Sequence, residues 1–226
     1  VTSAASDAPA GEVIPELVLK DPEAGAGMLR RQLGFVPDGV LLRLGSQRIA
    51  LRQGVSSGHG PMDHLALAVE AVAPSLADVV ARGGRADRAI TPDGPVLIPE
   101  FWDAGTEYIF VEGPEGARIE LCARPGSARP GLPGHDHLGM ACRDLPGMRA
   151  FFLDLGLTEI AATVLRRATG DVAVAFLSTG VSTVELYAPP VPPPPSAAPF
   201  WRGLMLAGLA EARQGPEGVV VRPLVP

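Results

Sequence analysis

Apolar and polar residues alternate with period two in a series of short runs along this chain, and a few longer runs between them carry helical spacing. ELVLKD (16–21) reads as a strand and PEAGAGMLRRQLGF (22–35) as a helix, with Asp21 as N-cap and Pro22 at the first helical position. GVLLRLG (39–45) and QRIALRQ (47–53) predict a hairpin turning at Gly45-Ser46. VSSGHGPM (55–62) is a linker by composition. The strand DHLALAV (63–69) then leads into a helix, APSLADVVARGG (73–84), whose glycine pair suits a C-cap. A proline-rich, strand-poor stretch follows, then the strand TEYIFVEG (106–113), a turn at Pro114-Glu115-Gly116 and the strand ARIELCA (117–123). Beyond a second linker (123–135) the order returns: DHLGMAC, the helix LPGMRAFFLDLGL behind Asp144, and the strands EIAATVLRR, DVAVAFLS and STVELYA. PPVPPPP (189–195) is stiff and extended. In the remainder, GLMLAGL matches HLALAVE and GPEGVVV matches GPEGARI, the start and end of a unit with its middle missing.

The pattern is an internal repeat, which outranks any element-by-element reading. It divides the chain into four units: residues 15–53, 61–124, 135–188 and a truncated 199–226. The fold class is α+β, with antiparallel or mixed strands and one helix covering each sheet. Residues 1–12 are small and polar and read as a disordered leader.

Strand alternation sorts the side chains by face. Leu65, Leu67 and Val69 share one face of the first DH strand, and His64, Ala66 and Ala68 the other. In the second, Leu138, Met140 and Cys142 oppose His137, Gly139 and Ala141. The bulky faces suit packing under helices, whereas the histidine faces carry small side chains that leave a concavity beside the imidazole. In the closing strands Arg118, Glu120 and Cys122 share a face, as do Thr183, Glu185 and Tyr187. A glutamate between buried aliphatics is costly unless a metal ion or an arginine such as Arg118 offsets its charge. His64, Glu120, His137 and Glu185 are thus four side chains of ligand type placed by the repeat.

Composition narrows the partners. Hydrophobic residues make up 46% and charged residues 19%, as in globular chains. A net charge of -6 argues against nucleic acid, which requires a basic face. No apolar run is long enough to span a bilayer, so no membrane partner is expected. Two cysteines, Cys122 and Cys142, are too few for a disulfide framework. The first residues have neither the positive region nor the apolar core of a signal peptide, and a bacterial cytoplasmic location is the expectation.

The units resemble the βαβββ modules of the vicinal oxygen chelate superfamily, which includes glyoxalase I, methylmalonyl-CoA epimerase, extradiol dioxygenases and bleomycin-resistance proteins. That resemblance implies cup-shaped mixed sheets with helices on the outer face, each cup closed by two modules around one divalent metal. Carried over by position, it implies His64, Glu120, His137 and Glu185 as ligands, a set similar to that of bacterial glyoxalase I. Ligand type does not choose among Ni, Zn, Co, Mn and Fe. The first unit has Glu16 and Ala50 at the ligand positions, and the fourth has Gly203 and, roughly, Arg222. Pairing of the two middle units gathers all four ligands in one cup; pairing in chain order splits them, and a homodimer can reunite them.

The activity implied is that of a metal-dependent lyase, isomerase or epimerase that chelates vicinal oxygens of a small substrate and stabilises an enediolate, with Glu185 or Glu120 as the base. The competing classes are a non-haem iron oxygenase of extradiol type and a non-catalytic drug-binding protein. Tyr187, Trp102 and Arg118 are the substrate-binding candidates, with Tyr108 and Phe110 beside them. His59 and His135, in Gly/Pro loops, read as solvent-exposed bystanders, Cys142, Phe151 and Phe152 as core, and Phe200 and Trp201 as closing one end of a cup or anchoring a dimer.

Overall fold

The computed structural model describes residues 11–129, 131–192, 194 and 196–224. Its strands form two sheets, and the order within each follows from which apolar faces must be covered. The first part of the chain gives β1 (Val13–Leu19), helix α1 (Pro22–Met28), β2 (Val36–Asp38), β3 (Leu41–Leu44) and β4 (Gln47–Gln53). Next come β5 (Met62–Ala68), α2 (Val72–Ala81), β6 (Val96–Ile98), β7 (Thr106–Glu112) and β8 (Arg118–Ala123). They are followed by β9 (Gly134–Ala141), α3 (Leu145–Asp154), β10 (Thr158–Leu165), β11 (Val172–Ser178) and β12 (Thr183–Ala188). The last strands are β13 (Trp201–Leu206), β14 (Arg213–Gln214) and β15 (Val220–Pro223).

The inner sheet runs β10-β11-β12-β9-β5-β8-β7-β6, with β5 and β9 antiparallel at its centre. The outer sheet runs β14-β15-β13-β1-β4-β3-β2, so the two ends of the chain meet through β1 and β13. The two DH strands are therefore neighbours within one chain. The bulky faces of both sheets and residues of all three helices close on one shared core, which includes Leu17, Leu29, Leu65, Leu67, Val79, Ile119, Leu138, Met148 and Trp201. The small-residue faces lie outside it. The fold is α+β with curled mixed sheets, as the alternation predicts.

The helix starts behave as their sequence dictates. Asp21 accepts a hydrogen bond from Ala24 N at 2.9 Å, and Asp144 one from Gly147 N at 2.9 Å. The two GPEG turns do more than reverse the chain. Glu115 and Glu217 adopt left-handed φ values of 55° and 56°. From there the Glu115 carboxylate accepts Lys20 N and Asp21 N, and Glu217 accepts Arg143 N and Asp144 N at 2.8 and 2.9 Å. Each turn thus caps a helix start in another part of the chain. Removing one carboxylate forfeits two charge-assisted bonds at a half-exposed site, so Glu217→Ala is expected to lower unfolding stability by about 1 kcal/mol in urea titrations.

Several elements differ from the sequence reading. β1 begins three residues earlier than 16, at Val13. The run read as one helix over 22–35 is α-helical only to Met28; a π-helical turn, Leu29–Leu33, ends it at Gly34 (φ 82°). The short strand β2 lies in the gap between the helix read over 22–35 and the strand read over 39–45, and β6 in the stretch read as strand-poor. Of the leader read over 1–12, residues 1–10 lie outside those described, but Gly11 and Glu12 are ordered into the fold: Gly11 donates to Ala207 O and Glu12 is buried.

His135 is no exposed bystander. Its Nδ1 lies 2.6 Å from Gln47 Oε1, its backbone N–H bonds Ser46, and its Nε2 accepts Thr183 N at 2.8 Å, which joins the two sheets. Burial pushes its imidazole down to about 3, so it stays neutral. His59 is half-buried against Phe200 at 5.6 Å between ring centroids. Phe200 and Trp201 belong to the shared core rather than to a cup rim.

Candidate metal centre

The β5–β9 seam brings the two histidines together. Two irregularities of pairing lie along it, one between Met62 and His64 and one between Ala66 and Leu67. At the first, Asp63 is the residue without a cross-strand partner; at the second, it is Asp136, between His135 and His137. Such bulges re-aim side chains. Here they turn each aspartate toward the same side as the histidine that follows it, against simple alternation. His64 Nδ1 is 3.1 Å from Asp63 Oδ2, and His137 Nδ1 is 2.7 Å from Asp136 Oδ1. A carboxylate only accepts, so each Nδ1 carries a proton, and in a neutral ring the Nε2 then presents a lone pair.

Those lone pairs face one another. The two Nε2 atoms are 3.2 Å apart. Glu120 Oε2 stands 3.3 Å from His64 Nε2, and Glu185 Oε2 stands 3.2 Å from His137 Nε2 and 3.8 Å from His64 Nε2. All four side chains are buried. Four acceptors converging in a dry place repel unless a cation is shared among them. Donors about 2.1 Å from an ion stand roughly 3.0 Å apart in an octahedron and roughly 3.4 Å apart in a tetrahedron. The 3.2 and 3.3 Å spacings fall in that range, while the 3.8 Å between His64 and Glu185 is longer. His64, His137 and Glu185 form one group able to share an ion, and Glu120 and His137 with Cys122 form a second.

The surroundings hold these donors in place. Arg118 pairs with Asp63, and both Arg124 (2.8 Å) and Arg129 pair with Asp136. Trp102, at φ 57°, lies over the Arg124 guanidinium at 4.1 Å. Burial pushes the Asp63 carboxyl up, but the bonded His64 and then Arg118 outweigh it and hold it down to about 2. Burial likewise raises Glu185, yet His137 and His64 bring it below the usual carboxylate range. For Glu120 burial wins, aided by the charge of Glu185, and its carboxyl lies above that range. Tyr108 is pushed up to about 12 by burial, then by Glu120 and Glu185. Burial, followed by Asp63 and Glu185, also raises Tyr187, so both phenols remain donors at neutral pH.

A cavity of about 360 Å³ opens over this cluster. Its lining includes His64, Glu120, His137 and Glu185, and also Tyr187, Trp102, Arg118, Tyr108, Phe110 and Cys122. Every site residue expected from the sequence therefore faces one space. Sequence reasoning missed Asp63, Asp136, Phe101 and Phe176. The repeated Asp-His dipeptide was the available signal for the aspartates. Phe176 sits on β11, two strands from the histidines, and only sheet order brings it close.

The outer sheet lacks such a cluster among the described residues. Glu16 instead takes Arg52 at 3.0 Å and Arg222 at 2.8 Å, an ion-pair triad built from the position read as equivalent to a histidine.

The two curled mixed sheets make a fold that solved structures share. Glyoxalase I from Zea mays has this architecture, with a TM-score of 0.67 at 15% identity over 93% of this chain and 91% of that one. A variant of the same maize protein gives 0.69 at 14% identity, over 93% and 91%. A candidate dioxygenase from Bacillus subtilis gives 0.60 at 11% identity, over 92% and 82%. No family model matches the sequence, and no curated protein matches it. At these identities the likeness defines the fold. Among the described residues no helix is long and apolar enough to cross a membrane.

Proposed function

We propose that the protein is a divalent-metal-dependent enzyme of glyoxalase I-like type, a lyase, isomerase or epimerase acting on a small substrate with vicinal oxygens. The observation that carries this reading is the convergence of two imidazole Nε2 atoms and two carboxylates, with the Nδ1 protons committed to Asp63 and Asp136. His64, Glu120, His137 and Glu185 would hold the ion. When bound, it supplies Lewis acidity toward the substrate's oxygens.

The chain's own groups do the rest. Glu185 touches both imidazoles, whereas Glu120 comes within 4 Å of His64 alone. That geometry supports Glu120 as the carboxylate that swings free to take and return a proton at the substrate carbon. The Tyr187 and Tyr108 hydroxyls donate hydrogen bonds to substrate oxygens, Arg118 braces Asp63, and Trp102 and the aromatic wall exclude water. A second reading draws on the same asymmetry. His64, His137 and Glu185 alone make a two-histidine, one-carboxylate set, the donor type of non-haem iron oxygenases.

Metal analysis of protein purified without added metal tests the proposal. A single ion per chain is expected in the wild type, and loss of it in both His64→Ala and Glu185→Ala, with circular dichroism unchanged. Metal retained in both variants would remove the basis of either reading. Oxygen consumption with ferrous iron, absent with zinc or nickel, separates the second from the first.

A further inference from the structure

The cavity has two unlike ends. One is the donor cluster. The other is aromatic and aliphatic: Phe101 meets Phe176 edge-on at 5.1 Å, and Trp102 lies tilted against Phe176, also at 5.1 Å. Leu165 and Val174 complete this wall as a cluster separate from the shared core. Phe176 connects the ends, since its ring stands edge-on to His137 at 6.0 Å. A flat ring resting on Phe176 has its edge at the donors.

Charge is distributed just as unevenly. The lining holds four carboxylates, Asp63, Glu120, Asp136 and Glu185, and a single arginine, Arg118, which is already bonded to Asp63. Arg124 and Arg129 bind Asp136 and do not line the space. No lysine lines it either. With Asp63 and Asp136 balanced by their arginines, and Glu120 and Glu185 by the ion on the metal reading, a carboxylate or phosphate on the body of a substrate would meet apolar walls and no unpaired cation among the described lining residues. Thr106 lines the cavity, and its buried Oγ1 has no hydrogen-bond partner. The volume, about 360 Å³, is at the low end of the roughly 300–1,000 Å³ of small-molecule sites.

We infer that the substrate is an uncharged aromatic compound with two neighbouring oxygens, its ring seated on Phe101, Trp102 and Phe176 and its oxygens directed to the His64–His137 end. Conjugates carrying carboxylates or phosphates on their bodies are rejected. The orientation of the oxygens rests on the metal reading proposed above; the ring site rests on the cavity alone.

Equilibrium binding of two matched probes tests the inference on cobalt-loaded protein, followed by the cobalt absorption bands and by tryptophan fluorescence. 4-Ethylcatechol and 3,4-dihydroxybenzoate present the same pair of oxygens and differ in the charge of the body. The neutral probe is expected to bind about tenfold more tightly or better, and Phe176→Ala to weaken it by about tenfold with cobalt content retained. Equal or tighter binding of the carboxylate probe overturns the inference, and the wild-type pair decides this without any variant. Trp102→Leu serves as a second wall variant with the same expectation, and indifference of both wall variants also overturns it. If the protein takes up no cobalt, the metal reading fails on its own. Binding of 4-ethylphenol to the metal-free protein then decides the ring site: saturable binding weakened by Phe176→Ala or Trp102→Leu supports it, and absence of binding overturns it.

Discussion

Gly139→Ala is expected to cost as much metal affinity as deleting a ligand, about 100-fold or more, although it removes no donor atom. Gly139 sits opposite His64 across the antiparallel seam and beside Glu185 across the parallel one. A Cβ at this position would overlap the His64 ring; even the farthest of the three nearest ring atoms, Nδ1, would be 2.6 Å away. The obstacle is the imidazole itself, and the surrounding strands leave it nowhere nearby to go, since His64 is buried and bonded to Asp63. Gly139 is not among the positive-φ glycines, so the residue is needed for space and not for backbone freedom. Isothermal titration with zinc or nickel, beside circular dichroism to verify the fold, measures the effect. Wild-type affinity in the variant would mean that His64 is not a ligand.

Asp136→Ala is expected to be the most destabilising single change near the site, by about 3–5 kcal/mol, because it leaves buried charge uncompensated. Its carboxylate is fully enclosed and serves three partners: His137 Nδ1, Arg124 and Arg129. Both guanidiniums are largely buried, with 19% and 12% of their side chains exposed. Asp63 holds one arginine, itself 23% exposed, so Asp63→Ala should cost clearly less. Urea denaturation in the presence of a chelator separates this structural loss from any loss of metal. Equal costs for the two aspartates would show that the second arginine contributes nothing.

The convergence of the four side chains was legible in the sequence because alternation and repetition act together. A histidine on a small-residue face and a glutamate between aliphatics, found twice, identify one face of four strands without knowledge of strand order. The aspartates escaped because the rule that found the histidines assigns Asp63 and Asp136 to the opposite face. The bulges at both positions break that rule, and nothing local in DHL announces a bulge. The wall residues Phe101 and Phe176 escaped for a different reason: they become neighbours only through packing between β11 and the loop after β6. Strands β2 and β6, of three residues each, are shorter than any periodicity can mark. The helix over 22–35 was overextended because its apolar spacing continues through Leu29 and Leu33 while the backbone widens into a π-turn. The Gly45-Ser46 turn was read correctly for its backbone. The structure adds that a Cβ at Gly45 would overlap the carbonyl oxygens of Gly131 and Pro133, so the linker packs against that turn.

The Arg52–Glu16–Arg222 triad gives the outer half of the molecule a counter-ion that is part of the polypeptide. A tethered guanidinium cannot be stripped by a chelator or exchanged for a competitor. On the metal reading proposed above, a chelator would act on the inner site only, since Glu16 in the outer half is already balanced by two arginines.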